Sequence, residues 1–468
     1  MRRLNTTNDI PVTACLLACF AASALGCGGS SQPTGPDFPR VAMVIDDGFD
    51  PSLPVFAGKV IGTYTVTCTP AATGGGENSD GGTDGGLPPG LDQDKAALLA
   101  ELAQPDDSCQ LTSGLTAVAN PLADLEGERA RWNAAMRGDV LPDASLEALE
   151  DEIPNRLMNA RFHGTATSGV VATSDPRVKL VLVQIALDSE EEAGASIGCL
   201  AQDAIDAATA LLADPDVSAA YLQRPPASVD RQLAEARAQL GVQLVNESFG
   251  HLARFAVEDL LYRSGCPAVS LASYFQTLGD LDQAYTLAHV EPGVLVVQSA
   301  GNDGARVDSP QDSLDCSPGD PRHLLVGAYG FGGAHSSFTN FGDCVELYAP
   351  GETVVTPLPG DWLYPLSGTS FSAPLVVGLS TAKAPSPFTP ASARAALDAL
   401  REPNGNIRPR NFPAPLLYDP AHDPYVSALL AATASARVRP PQRFSAAALN
   451  KALWPIRWVS ERARRGAR

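Results

Sequence analysis

Four short stretches of this chain hold residue types that can do nucleophilic and acid–base chemistry. Asp46 ends the apolar run Arg40–Ile45 in Val-Ile-Asp-Asp-Gly. His163 opens the small-residue stretch His-Gly-Thr-Ala-Thr-Ser-Gly-Val-Val-Ala. Asn302 lies in Ser-Ala-Gly-Asn, and Ser370 in Ser-Gly-Thr-Ser-Phe-Ser-Ala-Pro. A serine hydroxyl attacks a carbonyl well only when a base takes its proton, and the resulting oxyanion needs donors. Asp, His, Ser and Asn are the side chains such acyl transfer uses. Each has a plainer reading taken singly. Many strands end in Asp, a lone His is more often structural, and a Ser at a helix start is often a cap.

The elements around these residues must bring them together. Arg40–Ile45, Val178–Leu187, Val242–Val245, Val294–Val297, His323–Ala328 and Val345–Ala349 are apolar runs of strand length. Helical patterns lie between several of them, as at Ile197–Leu212 and Arg231–Leu240. Strands alternating with helices predict a three-layer α/β/α fold with a doubly wound, mainly parallel sheet. Asp46 then stands at the carboxyl end of a strand, where such sheets place ligands. His163 and Ser370 open helices, where free backbone amides favour negative charge on a bound oxygen.

In this order the four motifs resemble the subtilisin-like serine proteases, the subtilases, over about residues 40–420. Phe338–Gly342 (Phe-Thr-Asn-Phe-Gly) and Tyr348–Gly351 (Tyr-Ala-Pro-Gly) add secondary matches. The order Asp, His, Ser is the one this fold uses. The resemblance implies a serine endopeptidase acting on polypeptides. Ser370 is then the nucleophile, His163 the general base and acid, Asp46 the residue that orients His163, and Asn302 an oxyanion donor. Ser248, Phe249 and Gly250 resemble the family's substrate-cleft strand. No cofactor is required on this reading. Two other readings stand beside it: a pseudoprotease that binds peptides uncut, and a surface lipoprotein that serves as a binding module.

The chain departs from the family in several places. Ala166 stands where many relatives have a second His, which implies altered cleft packing. Asp47 and Ala373-Pro374-Leu375 resemble the kexin/furin branch, where extra carboxylates select basic substrates. The short stretch before Asp46 is expected to hold no inhibitory propeptide. The Asp46–His163 spacing is long, and residues 69–159 read as an insertion. Its start, Thr69–Gly90, is Gly-rich and acidic and predicts a surface loop. Glu77, Asp80 and Asp84 could alternatively hold calcium, although they fit no EF-hand spacing. Asp94–Gln104, Leu122–Arg137 and Ser145–Ile153 read as helices of the insertion, beside the cleft.

Charge and cysteine usage bound the partners and the compartment. The 468 residues carry 33 Lys and Arg against 53 Asp and Glu, a net of −20. That balance disfavours nucleic acid. Residues 421–468 are nonetheless +7, so the remainder is −27. This tail carries Leu449, Leu453, Trp454, Ile456 and Trp458 among basic residues. It suits either a membrane surface or docking on the acidic body. Arg2, Arg3 and the apolar stretch Val12–Leu25 read as a signal peptide. Ala24-Leu25-Gly26-Cys27 resembles a bacterial lipoprotein site, with Cys27 as the acylated residue and residues 28–39 as a tether. Cleavage near Ala24 without acylation is the alternative. An extracytoplasmic monomer, secreted or lipid-anchored at the cell envelope, follows. Six of the nine cysteines lie beyond this region, an even number that suits disulfides in an exported protein. Cys316 and Cys344, flanking one strand-loop stretch, are the expected pair.

Overall fold

The structure is a computed structural model that describes residues 39–68, 91–115, 162–185, 188–189, 198–289, 291–330, 333–352, 354–358 and 362–407. Residues 443–444, 453, 456 and 459 are described as well. Cys27, the signal-like stretch, the tether, the acidic loop with Glu77, Asp80 and Asp84, and the helices expected at 122–137 and 145–153 lie outside these residues.

Strands β1 (Val41–Asp46), β2 (Val60–Cys68), β3 (Cys109–Ser113), β4 (Lys179–Gln184), β6 (Val242–Glu247), β7 (Leu295–Ser299), β8 (His323–Tyr329) and β9 (Leu347–Pro350) form one sheet. Their order is β3-β2-β4-β1-β6-β7-β8-β9. Every neighbouring pair is parallel except β2 with β3. The chain leaves β1 towards β4 on one side and later returns to β6 on the other. The strand order therefore reverses at β1, and Asp46 ends the strand at that switch point.

Helices cover both faces. In chain order they are α1 (Leu91–Leu102), α2 (His163–Ser174), α3 (Gln202–Leu212), α4 (Pro215–Gln223), α5 (Ser228–Leu240), α6 (Arg254–Arg263), α7 (Ala272–His289), α8 (Thr369–Lys383) and α9 (Pro390–Asp398). The period-two geometry of β1 explains why its run is apolar throughout. Ala42 and Val44 face one core together with residues of α2 and α8, while Met43 and Ile45 face another with residues of α5. A parallel strand buried on both faces has no solvent side on which to place polar residues. Helices α2 and α8 touch along their length. A Cβ on Gly378 would stand 2.3 Å from the Ser174 Cβ, so this approach admits only glycine.

The expected three-layer fold is the observed one, with differences at its edges. The 69–159 stretch, read as loop and helices, also contributes a strand. Its Cys109–Ser113 segment joins the main sheet as edge strand β3, antiparallel to β2, with Cys68 opposite Cys109. The sequence of β3 (Cys-Gln-Leu-Thr-Ser) carries a single large apolar residue, because an edge strand is only half buried. Strand β2 is equally inconspicuous, with Thr and Tyr in an alternating, partly exposed pattern. The helix expected from Ile197 begins at Gln202, after Cys199, which bonds to Cys266. The expected Cys316–Cys344 pair is present, and Cys68–Cys109 is the third bridge.

A satellite core lies under helices α1, α3, α4, α6 and α7. It contains Leu98, Leu102, Ile205, Leu211, Val257, Leu261, Tyr274 and Phe275. Three tail residues, Leu453, Ile456 and Val459, are buried in the same cluster. Strand β10 (Arg443–Phe444) pairs with the short β5 (Asp188–Ser189). Leu453 and Ile456, which a membrane-facing tail would present outward, are thus enclosed by the protein itself. Truncating Ile456 to Ala leaves a cavity in this core and is expected to cost about 2–5 kcal/mol. The urea unfolding midpoint measures that loss; an unchanged midpoint would show that the tail adds nothing to the packing.

Candidate active site

Asp46 is fully buried at the end of β1. A buried carboxylate must find donors, and three come from nearby. His163 Nδ1 lies 2.6 Å from Asp46 Oδ1. The Asp47 amide donates to the same oxygen at 2.8 Å. The Thr167 hydroxyl donates to Oδ2 at 2.9 Å. His163 reaches Asp46 because the start of α2 is tied to the turn after β1. No side chain caps this helix. Its first amides are satisfied by that turn instead, Gly164 N–H to Asp47 O at 2.6 Å and Thr165 N–H to Gly48 O at 3.0 Å. Helix-start amides that need acceptors thereby lock imidazole to carboxylate.

His163 is itself fully buried. Its Nε2 has no hydrogen-bond partner in the structure. The Phe371 ring lies 5.9 Å from the imidazole, centroid to centroid.

Ser370 sits in the first turn of α8, 3% exposed. Gly368, which precedes the helix, has φ +152°, a conformation that side chains disfavour. Four residues after Ser370 comes Pro374, inside the helix. Proline has no amide hydrogen, so the Ser370 carbonyl loses its helical donor. The Ser248 hydroxyl replaces it at 2.9 Å. In return, the Ser370 hydroxyl donates to the Ser248 carbonyl at 3.1 Å. Asn246 Nδ2 donates to the Ser248 hydroxyl at 2.9 Å. Ser248–Gly250 continue past the end of β6, and Ser248 is brought directly against Ser370. Phe249 packs, half-buried, on the core behind the sheet. A side chain on Gly250 would collide with Asp315.

Asn302 follows β7. Its Oδ1 accepts from the Thr369 amide at 2.9 Å and from the Thr369 hydroxyl at 3.0 Å. The amide donor at Thr369 fixes which end of the Asn302 side chain is oxygen. Its Nδ2 therefore points to the other side, 3.6 Å from where a Cβ on Gly368 would be. Asn340, from the Phe-Thr-Asn-Phe-Gly motif, clamps this loop. It accepts from the amides of Asp303 and Ala305 and donates to the Ala300 carbonyl.

Asp46, His163, Asn302, Ser248 and Ser370 thus gather at the carboxyl ends of β1, β6 and β7 and at the starts of α2 and α8. Thr167, Thr369 and Asn340 belong to the same network; Thr369 and Asn340 lie in motifs quoted from the sequence without a role of their own, and Thr167 was not singled out. Thr167 could have been. It lies four residues after His163, on the same helix face, and is a hydroxyl among apolar and small neighbours. Among the described residues, no group of three or more His, Cys, Asp or Glu is placed to hold a metal ion.

The chain belongs to the subtilase family, whose Peptidase_S8 model matches residues 41–399. Curated relatives include Subtilisin-like protease 1 of Trichophyton verrucosum, 37% identical over 92 residues, which is 19% of this chain and 22% of that protein. Subtilisin-like protease 1 of Trichophyton rubrum is also 37% identical over 92 residues, 19% of this chain and 17% of that one. The chain spans about a fifth of the length of the curated relatives it matches. Similar solved structures include a cold-adapted subtilisin-like serine proteinase, 16% identical, covering 82% of this chain and 89% of that one, with a TM-score of 0.33. A lanthipeptide protease is 15% identical, covering 80% and 86%, with a TM-score of 0.39.

A second, partly buried polar group lies beyond Ser248. His251 bonds to Asp315 through Nδ1 at 2.9 Å and through its amide at 2.7 Å. Gln298 links Asp315 to His323. Burial, and then the charge of Asp315, raise the Glu247 carboxyl from 4.5 to about 7. Burial alone would lower His251, but the charge and hydrogen bond of Asp315 raise it. A carboxyl raised in the folded state holds its proton there after the unfolded chain has released it. Its contribution to stability is complete below pH 4.5 and is lost as pH rises through about 7. Glu247→Gln removes that dependence. Chemical denaturation at pH 5 and pH 8 should show the wild type losing more stability than the variant over this interval, by about 2 kcal/mol. Parallel losses in the two proteins would contradict the raised carboxyl.

Proposed function

We propose that this chain is a serine endopeptidase that cleaves polypeptides through an acyl-enzyme, with Ser370, His163, Asp46 and Asn302 as its working groups. The observation that carries this reading is the buried Asp46–His163 bond of 2.6 Å, which leaves Nε2 as an unpartnered buried nitrogen. Buried polar atoms are nearly always paired. An imidazole held at Nδ1 by a carboxylate, with Nε2 open, is a base awaiting a proton. Membership of the subtilase family supports the same assignment.

On this reading the reaction runs in these steps. The Ser370 hydroxyl turns from the Ser248 carbonyl towards His163 Nε2. Its oxygen bonds to the scissile carbonyl carbon while its proton passes to Nε2. Asp46 keeps Nδ1 protonated and stabilises the imidazolium. The carbonyl oxygen, now an anion, lies against Asn302 Nδ2 and the helix-start amides of α8. The C–N bond breaks and the leaving amine takes the proton from Nε2. Water then repeats the sequence to free the acyl group. The Ser248 carbonyl, freed when the serine turns, can accept from a substrate amide.

The hydroxyl's bond to Ser248 also suits a second reading, a protein that holds peptides without cutting them. Rotation about the Ser370 Cα–Cβ bond separates the two, and only a working site makes it. Three disulfides support an extracytoplasmic location. Export through the signal-like N-terminus, with or without acylation of Cys27, belongs to this proposal.

The wild type is expected to hydrolyse casein and to be labelled by a fluorophosphonate, whereas Ser370→Ala does neither. Labelling of the Ala variant to the same extent would overturn the assignment. Asn302→Ala keeps the nucleophile but loses an oxyanion donor, so kcat should fall by about 10²–10³ with little change in KM. An unchanged kcat would remove Asn302 from the site.

A further inference from the structure

Resting on the reading of Asp46, His163 and Ser370 given above, we propose that Thr167 is a positioning residue for proton transfer, holding the Asp46 carboxylate through its otherwise unsupported oxygen. Asp46 Oδ1 receives both His163 Nδ1 and the Asp47 amide. Its Oδ2 receives the Thr167 hydroxyl at 2.9 Å. Both residues are fully buried, so water does not stand in for a lost donor.

Thr167 has one hydroxyl proton and two acceptors in reach, Asp46 Oδ2 at 2.9 Å and the Gly164 carbonyl at 3.2 Å. The choice between them is decided by the next residue. The Ser168 hydroxyl donates to the Gly164 carbonyl at 2.5 Å. That carbonyl is already satisfied, and the carboxylate is both closer and charged. Charge-assisted hydrogen bonds are the stronger kind. The Thr167 proton therefore goes to Asp46.

The arrangement has a mechanical meaning. A carboxylate held at one oxygen alone can swing about its Cβ–Cγ bond. Held at both, it has a fixed plane, and so does the imidazole bonded to it. Four residues separate His163 and Thr167 on one helix, which places both side chains over the same carboxylate. Helix α2 thus grips Asp46 at two points, and the aim of Nε2 follows from that grip.

The ionisable groups around Asp46 limit how its loss would be felt. His163 contacts it from α2. Asp47 is its chain neighbour. Glu247, on β6, stands in register with Ile45. From α8 the uncharged Phe371 ring lies against His163. Without the Thr167 donor, Oδ2 is a buried acceptor with no partner. The carboxylate is then harder to ionise, and its charge falls more heavily on the imidazolium. Activity needs Asp46 ionised and His163 neutral, and both changes move the acid limb of the pH profile upward.

The test compares Thr167→Val, which has nearly the same shape without the hydroxyl, with Thr167→Ser, which keeps it. In the Val variant kcat for a peptide substrate should fall about tenfold with KM nearly unchanged, and the acid limb of kcat/KM should move to higher pH. The Ser variant should restore both. A Val variant with wild-type kcat and an unmoved acid limb would overturn the proposal, as would a Ser variant as impaired as Val. Thermal melting of each variant separates this from lost folding: a Val variant that loses activity only in proportion to its unfolded fraction also overturns it. If the wild type itself neither cleaves peptide nor takes the fluorophosphonate, the parent assignment fails. The Thr167 bond is then read from the Nδ1 proton resonance of His163, which should shift in Val and return in Ser; no shift in Val counts against the proposal.

Discussion

A charged carboxylate buried at the end of the central strand is the constraint to which the rest of this structure answers. Removing an ion from water costs far more than a single hydrogen bond returns, so Asp46 persists only because several donors converge on it. Each donor is supplied by a different part of the fold. The Asp47 amide comes from the turn that ends β1. The imidazole and the Thr167 hydroxyl come from α2. That helix is itself held in place by giving its first amides to the same turn. Satisfaction of the carboxylate and satisfaction of the helix start are one arrangement seen from two ends.

The second half of the site uses a different device. Pro374 opens a gap in the hydrogen-bond ladder of α8, and the Ser248 hydroxyl from beyond β6 fills it. Asn302 accepts the Thr369 amide at the start of the same helix, and Asn340 holds the Asn302 loop from behind. The two helices are fixed to the sheet at their amino ends and to each other where Gly378 lets them touch. The polar groups therefore hold the ends of elements whose lengths are held by apolar packing.

Most of this was legible in the sequence for a physical reason. Strands buried on both faces must be apolar throughout, which made β1, β4, β6, β7, β8 and β9 conspicuous. Small residues after His163 and Ser370 announced helices that pack closely. What the sequence hid was what gains little from burial. Strands β2 and β3 are partly exposed and rich in Thr and Ser; β2 drew no reading, and β3 read as part of the insertion. The tail gave an ambiguous signal, because apolar residues among basic ones suit a lipid surface and a protein core equally. Leu453, Ile456 and Val459 are the described residues of that pattern, and they are buried in the satellite core. Thr167 stands four residues after His163, a spacing that marks the helix face but not the acceptor of its hydroxyl. Only the turn that brings Asp46 beneath it gives it one.

The satellite core joins segments from opposite ends of the described chain. Leu98 and Leu102 belong to the early helix α1, whereas Leu453, Ile456 and Val459 come from the tail. The main sheet and its two site-bearing helices are complete in sequence well before those tail residues. Without those tail residues the satellite core lacks one wall. Closing such a distant contact is slow relative to local pairing. Until Leu453, Ile456 and Val459 dock, helices α3, α4, α6 and α7 present an unfinished apolar surface.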